Sequence, residues 1–414
     1  MISETSDHTS ITPASRRSFL QKITALGSLS LLPTAGLMAQ NEDEPLEVQA
    51  GPYLQNVLHD EATIMWITNR NCFSWVEYGD GNHLHRKFFD VHNGLIQANN
   101  RVNKIKLKGI KSGRSHKYRI VSTEIVRVSG SQFHFGTTYT SPVYSFQTPA
   151  ADESSFRMVV FNDHHERPQT IPELLYRFGY KGNEKDFDLV VFNGDVFDNT
   201  ESEEQVVQQF LRPCVDIFAK ETPFLFVQGN HEVRGAFSRQ IPDYFSFVDE
   251  RFYHAFNRGP VRIIVLDGGE DKSDDNWEYR GLVAFDPYRE VQREWLRREI
   301  QSEAFKQATF KVVLIHIPLW HSGDWHGPTH CREMFGDLLE QGGIDLMLSG
   351  HTHRYGIHPP DADHSYPVMI GGGPVAGNRT LIKVVCTREN VQATMVKDDG
   401  EVIGELNLKP KKKR

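Results

Sequence analysis

The chain has 414 residues, room for two or three domains, and at 39% hydrophobic and 24% charged residues it fits a soluble globular protein. A formal net charge of −8 argues against a general nucleic-acid binder, which needs a basic surface to neutralise phosphates. Cys72, Cys214, Cys331 and Cys386 are too widely spaced for a CxxC zinc pattern or a dense disulfide scaffold. Four buried or free thiols are the expectation, with one disulfide left open for an oxidising compartment.

The first element is an address. Ser15-Arg16-Arg17-Ser18-Phe19-Leu20 precedes a modestly apolar run from Ile23 to Met38. A charged front, an apolar middle and a small-residue exit make a secretory signal, and the apolar part is too short and weak for a membrane span. The paired arginines resemble the twin-arginine type, which is read by a receptor. Cleavage after Ala39 fits, although Leu37 is larger than usual three residues before a cut. No cysteine follows the apolar run, so no lipid anchor is expected. Residues 1–40 are therefore read as a signal. It implies a periplasmic or secreted protein with no stable membrane anchor once the signal is removed.

After a polar linker at 41–45, residues 46–150 read as all-β. Ala62 to Thr68 and Ser74 to Tyr78 alternate small or polar groups with large apolar ones, and Gly79-Asp80-Gly81-Asn82 stops the second run. Val102 to Leu107, Lys117 to Val121 and Val143 to Gln147 repeat the pattern. Period-two strands at this spacing predict a β-sandwich, with Trp66 and Trp75 in its core. Thr148-Pro149-Ala150 closes the segment with a linker-like composition.

From Phe156 apolar runs alternate with helical patterns, predicting an α/β domain over 154–408. Helices are expected at 170–178, 203–218, 288–305 and 331–340, with Pro213 kinking or splitting the second. Ligand-type residues in such sheets gather beyond the carboxyl ends of strands, and five runs end in them. Arg157–Phe161 leads to Asp163 and His165, Leu189–Phe192 to Asp195, and Phe224–Val227 to Asn230, His231 and Glu232. Lys311–Ile315 leads to His316, and Leu346–Leu348 to Gly350-His351-Thr352-His353. In the last run a glycine lets the chain bend without a Cβ clash, and alternate residues share a face. Two aspartates, one asparagine and four histidines suit iron, manganese or zinc better than calcium or magnesium. Seven ligands are too many for one ion. With one aspartate bridging they suit two ions about 3.5–4 Å apart, an arrangement used in phosphatases and nucleases.

The ordered series Asp-x-His, Gly-Asp, Gly-Asn-His-Glu, His and Gly-His-x-His resembles the calcineurin-like metallophosphoesterase family over most of residues 156–408. The preceding sandwich makes the chain similar to purple acid phosphatases, which carry a fibronectin type III-like domain there. The resemblance implies a β-sheet sandwich flanked by helices. It implies a first metal held by Asp163, His165, Asp195 and His353, and a second by Asp195, Asn230, His316 and His351. His231 would contact the phosphoryl oxygen or serve the leaving group, with Glu232 orienting it. The implied reaction is hydrolysis of small phosphate monoesters by attack of a metal-bound hydroxide. A phosphodiesterase acting on nucleotides, glycerophosphodiesters or phospholipid head groups is the second reading, and a secreted binding protein with a vestigial site the third.

The chain departs from the purple acid phosphatase pattern at two places. Asp198 stands where those enzymes have a metal-ligating tyrosine, and His165 where they have glycine. A colourless or weakly coloured centre is expected. Their substrate-contacting histidines fall nine and ten residues after the metal histidine, at Trp325 and His326 here. His326 is therefore a candidate second phosphate contact or general acid. His164 is read as structural, Asp267–Asp286 as a solvated insertion or a lid, Gly371-Gly372-Gly373-Pro374 as a tight turn near the site, and residues 409–414 as a basic tail.

Overall fold

Strand parity decides which face each residue of this chain buries. The structure, a computed structural model, describes residues 44–80, 83–178, 180 and 187–411. The predicted signal at 1–40 and residues 412–414 lie outside the described residues.

The all-β portion is a seven-stranded antiparallel arrangement built on one long strand, Glu61–Gly79. Its first half pairs with Val48–Gln55 and Ala98–Lys108. Its register breaks between Ile67 and Cys72, and its second half pairs with Ser115–Ser129 and Arg86–Phe88. Both halves feed one buried cluster, with Ala62, Ile64 and Trp66 from the first and Val76 and Tyr78 from the second. The indole N–H of Trp66 donates to Ser122 Oγ at 2.9 Å, so its one polar atom is satisfied inside that core. Trp75 corrects the expectation. Parity sets it opposite Val76 and Tyr78, half-buried on the outer face against Phe73, with ring centroids 5.3 Å apart.

The α/β portion stacks two six-stranded sheets between helices. One sheet runs in the order Phe224–Val227, Leu189–Asn193, Ser155–Phe161, Thr380–Thr387, Val391–Lys397, Val402–Leu408. The other runs His254–Arg258, Val261–Val265, Phe310–Leu314, Leu346–Ser349, Val368–Ile370, Gly356–His358. Met158, Val160 and Val191 turn toward Ile263, Val312 and Leu348 between the sheets. Their neighbours Val159, Phe161 and Phe192 turn the other way, onto helices Thr170–Arg177 and the helical run 203–219. Ile264, Val313 and Met347 likewise meet Leu296 and Phe335 of helices Phe285–Glu299 and His326–Gly342. Strands buried on both faces read as unbroken apolar runs, which is why the five that lead to ligands were legible.

Pro213 does not split its helix, which runs unbroken over 203–219. It lies in the short α-helical turn Arg212–Cys214, between two wider stretches of π-helix at Val206–Leu211 and Val215–Ala219. All four cysteines are buried and unpaired. From Pro45 onward the chain forms one compact unit.

Candidate metal centre

The carboxyl ends of five strands from the two sheets meet at one edge, and three of the five turns there are held in an uncommon conformation. Asp163 (φ +49°), His165 (+42°), Asp195 (+53°), His351 (+70°) and His353 (+55°) all adopt the left-handed region. Each such residue costs about 1–3 kcal/mol and persists only where its surroundings over-determine it. Two glycines make the crowding tolerable. A Cβ on Gly194 (φ +86°) would lie 2.3 Å from His316 Nδ1, and one on Gly350 would lie 2.3 Å from Asp163 Oδ2. Gly350 is thus required for close approach, with no left-handed bend of its own.

These turns bring all seven predicted ligands together. One ligand atom each from Asp163, His165, Asp195 and His353 lie within 4.8 Å of one another, and so do those of Asp195, His316 and His351. Asp195 belongs to both groups. Asn230 Oδ1 completes the second, 2.8 Å from His351 Nδ1. The His316 Nδ1–H donates to the Asn193 carbonyl at 2.8 Å, which leaves Nε2 a bare lone pair. That buried atom has no hydrogen-bond partner. It faces Asp195 Oδ2 at 3.0 Å, close but not aligned as a hydrogen bond, and Asp163 Oδ1 at 3.9 Å. A buried lone pair set against two buried carboxylates fits a cation, so the residues present suit a metal pair.

Electrostatics point the same way. Burial would lower the pKa of His316, but the carboxylates of Asp195 and Asp163 override it and push it up to about 10. At neutral pH this place therefore attracts positive charge, whether as a proton or as a metal ion. Burial would raise Asp195, yet the imidazoles of His316, His231 and His165 hold it well below the usual carboxylate range. Burial lowers His165 to about 4 and, helped by His316, His351 to about 3. Both are neutral imidazoles, the form that binds metal.

The residues around the centre take distinct positions. His231 lines the cleft, and its Nδ1–H donates to the Asp198 carbonyl at 2.6 Å, which leaves Nε2 as its other polar atom, an acceptor in the neutral ring. Glu232 is placed elsewhere than beside that ring. Fully buried, it accepts the backbone N–H groups of Asp195 (3.0 Å), Val196 (2.7 Å), Phe197 (3.2 Å) and Gly229 (2.7 Å). It therefore braces two ligand-bearing turns, and burial pushes its pKa up to about 7. His326 begins a helix, with Nε2 2.7 Å from Asp286, and does not line the cleft. His164 points into the helix-side core against Phe192 and Phe210. A Cβ on Gly373 would lie 2.6 Å from His353 Cβ, so the glycine run is a turn pressed against the site.

Two side chains had no role assigned to them from the sequence. Asp198 Oδ1 sits 2.8 Å from His165 Nδ1 and orients that ring. Arg234 donates to Glu270 and places Nη1 3.2 Å from His231 Nε2. The first was visible only as a departure from a pattern, and an arginine in a turn has no spacing signature. The segment after Asp267 is not simply solvated. Asp267 is buried and receives Tyr288 Oη at 2.9 Å, and Asp271 lines the cleft, a space of about 610 Å³.

Residues 156–355 match the family model for calcineurin-like phosphoesterases. Purple acid phosphatase 22 of Arabidopsis thaliana is 22% identical over 65% of this chain, a match spanning 60% of that relative's length. A probable glycerophosphodiester phosphodiesterase of Arcobacter nitrofigilis is 28% identical over 40% of this chain and 57% of its own. Among solved structures, purple acid phosphatase PPD1 from yellow lupin seeds shares the fold. It has a TM-score of 0.65 at 16% identity and covers 86% of this chain and 74% of its own.

Proposed function

Residues 156–355 belong to the calcineurin-like phosphoesterases, and from that premise we propose that the chain is an exported phosphoesterase that hydrolyses small phosphate monoesters at a two-cation centre. The observation that carries the reading is the pair of ligand groups sharing Asp195, with the bare Nε2 of His316 between two carboxylates. Asp163, His165, Asp195 and His353 would hold one ion, and Asp195, Asn230, His316 and His351 the other. Bound there, iron, manganese or zinc would supply Lewis acidity toward phosphoryl oxygens and lower the pKa of water.

The chain's own groups do the rest. Glu232 fixes the turns that carry Asp195 and Asn230. The Asp198 carbonyl fixes the His231 ring through Nδ1–H, and in the doubly protonated ring Nε2–H would donate to a phosphoryl oxygen or pass that proton to the leaving oxygen. Arg234 adds a guanidinium beside that nitrogen, suited to developing negative charge.

The test pairs composition with chemistry. Elemental analysis of the mature chain should find at least two ions, and p-nitrophenyl phosphate should be hydrolysed faster than bis-p-nitrophenyl phosphate. Asp195→Ala should lose both metals and turnover together; retention of both would sink the assignment. The likeness to a probable glycerophosphodiester phosphodiesterase favours a second reading, a phosphodiesterase, and preference for the diester would select it. Export rests on Arg16 and Arg17. With both replaced by lysine, the precursor should accumulate inside the cell, and undiminished export would remove the twin-arginine reading.

A further inference from the structure

A second group of imidazoles stands on the rim of the same cleft. His321 and His358 line that space together with Asp195, His351 and His353. His321 Nε2 lies 2.9 Å from His364 Nε2. Asp361 Oδ2 lies 3.8 Å from the first nitrogen and 3.4 Å from the second. One ligand atom each from His321, Asp361 and His364 fall within 4.8 Å of one another.

Each of these atoms is prepared by its neighbours. His364 is buried, and its Nδ1–H donates to the Tyr366 carbonyl at 2.6 Å, which leaves Nε2 as a lone pair. Asp361 Oδ1 accepts the backbone N–H groups of Asp363 at 2.8 Å and His364 at 3.2 Å, so Oδ2 remains for another partner. His321 adopts a left-handed backbone (φ +65°), and its ring stacks on His358 with centroids 3.8 Å apart. Burial lowers the pKa of His321 and of His358, so both rings are neutral at neutral pH.

The arrangement repeats one inside the centre already described. There His165 Nε2 and His353 Nε2 also stand 2.9 Å apart, with His165 Nδ1 held by Asp198 Oδ1. Charge separates this group from a third one. Asp286, His326 and His330 also converge, but Arg289 Nη1 stands 2.8 Å from the shared Asp286 oxygen and supplies the cation. The charge of Arg332 is felt at His321, but its Nε donates to the Leu319 carbonyl at 2.7 Å, and among the described residues it forms no ion pair with Asp361.

We propose that His321, Asp361 and His364 form a third metal site, distinct from the Asp195-bridged pair, that takes one divalent transition ion of the zinc class. Two imidazoles and a carboxylate select zinc-like ions over calcium or magnesium. Three protein ligands leave a coordination position open, as in zinc sites that bind a small molecule. Because His321 lines the cleft, that position adds positive charge to a wall facing an anionic substrate. The site stands whether or not the pair hydrolyses phosphate esters.

The full mature chain is equilibrated with excess zinc at pH 7, desalted and analysed for bound metal. Three equivalents are expected in the native sequence, two in His321→Ala, and at least tenfold weaker binding of the third in Asp361→Asn. Asp195→Ala should show the reverse, losing the pair and keeping one equivalent, so failure of the dinuclear reading is told apart from failure of this one. If His321→Ala does not fold, Asp361→Asn carries the test, because that carboxylate is exposed. Equal metal content and equal zinc affinity in the native chain and the folded variants would overturn the proposal and leave a histidine hydrogen-bond network.

Discussion

Asp198 shows how one side chain can stand in for a missing ligand without becoming one. It occupies the position where the resemblance places a tyrosine, yet its Oδ1 faces His165 Nδ1 at 2.8 Å. A carboxylate behind a ligating imidazole fixes the ring and raises its basicity. Asp198→Ala should therefore weaken metal binding and turnover about 10–100-fold. Saturating metal should restore the native metal content. His231 should stay oriented, because it uses the Asp198 backbone carbonyl, which the substitution keeps. A metal titration read alongside kcat checks this, and unchanged affinity would assign Asp198 to the surface. The seven ligand positions were legible because oxygen and imidazole donors stand at strand ends, where the chemistry needs them. His326 illustrates the limit of such reading. Counting residues from His316 presumes a loop path, and in this loop Gly323 adopts φ +82° and His326 becomes the first residue of a helix facing Asp286.

At the scale of elements, strands were easier to read than helix starts. The helix His326–Gly342 begins five residues before the expected position, and Phe285–Glu299 three before. In both, a proline (Pro328 or Pro287) sits in the first turn, where its missing N–H costs nothing and its fixed φ suits the helix. Both expected starts fell beyond the proline. The edge strand His254–Arg258 went unpredicted, and it carries a stability consequence. His254 is buried, in contact with the Phe256 ring, and burial lowers its pKa to about 4. The unfolded chain titrates this group near 6.5, so below that pH the unfolded state binds more protons than the native one. Stability is then lost as pH falls from about 6.5 toward 4, by up to about 1.4 kcal/mol per pH unit. His254→Phe removes this slope. Denaturant unfolding at pH 6.5 and pH 5 should show the native sequence losing about 2 kcal/mol more than the variant. Parallel losses in the two proteins would show that His254 does not titrate on unfolding.

For the whole molecule, the composition shift at Thr148-Pro149-Ala150 suggested a separable β-domain, but the packing ties the two portions together. Ala50, Tyr53, Met65 and Ile67 belong to the same buried cluster as Phe192, Phe210 and Phe245. Tyr53 Oη donates to the Tyr244 carbonyl at 2.8 Å, Tyr118 Oη to the Lys220 carbonyl at 2.7 Å, and Arg101 pairs with Glu203 at 2.7 Å. Alternation along a strand tells which residues are buried but not against what, so this shared core was invisible in the sequence. Burying an apolar side chain contributes about 1.5–3 kcal/mol, so removing even the three larger ones forfeits roughly 4–9 kcal/mol. A domain's whole stability is only about 5–15 kcal/mol. The helical run 203–219, which these residues cover, also backs the strand Leu189–Asn193, which leads to Asp195. A chain starting at Ala151 should therefore lose cooperative thermal unfolding and, with it, the bound metal pair. Calorimetry and elemental analysis of residues 151–414 decide the matter. A sharp transition with two ions bound would make the α/β portion autonomous and leave the β-portion an accessory, whereas a broad transition with no metal would make it part of the scaffold that holds the centre.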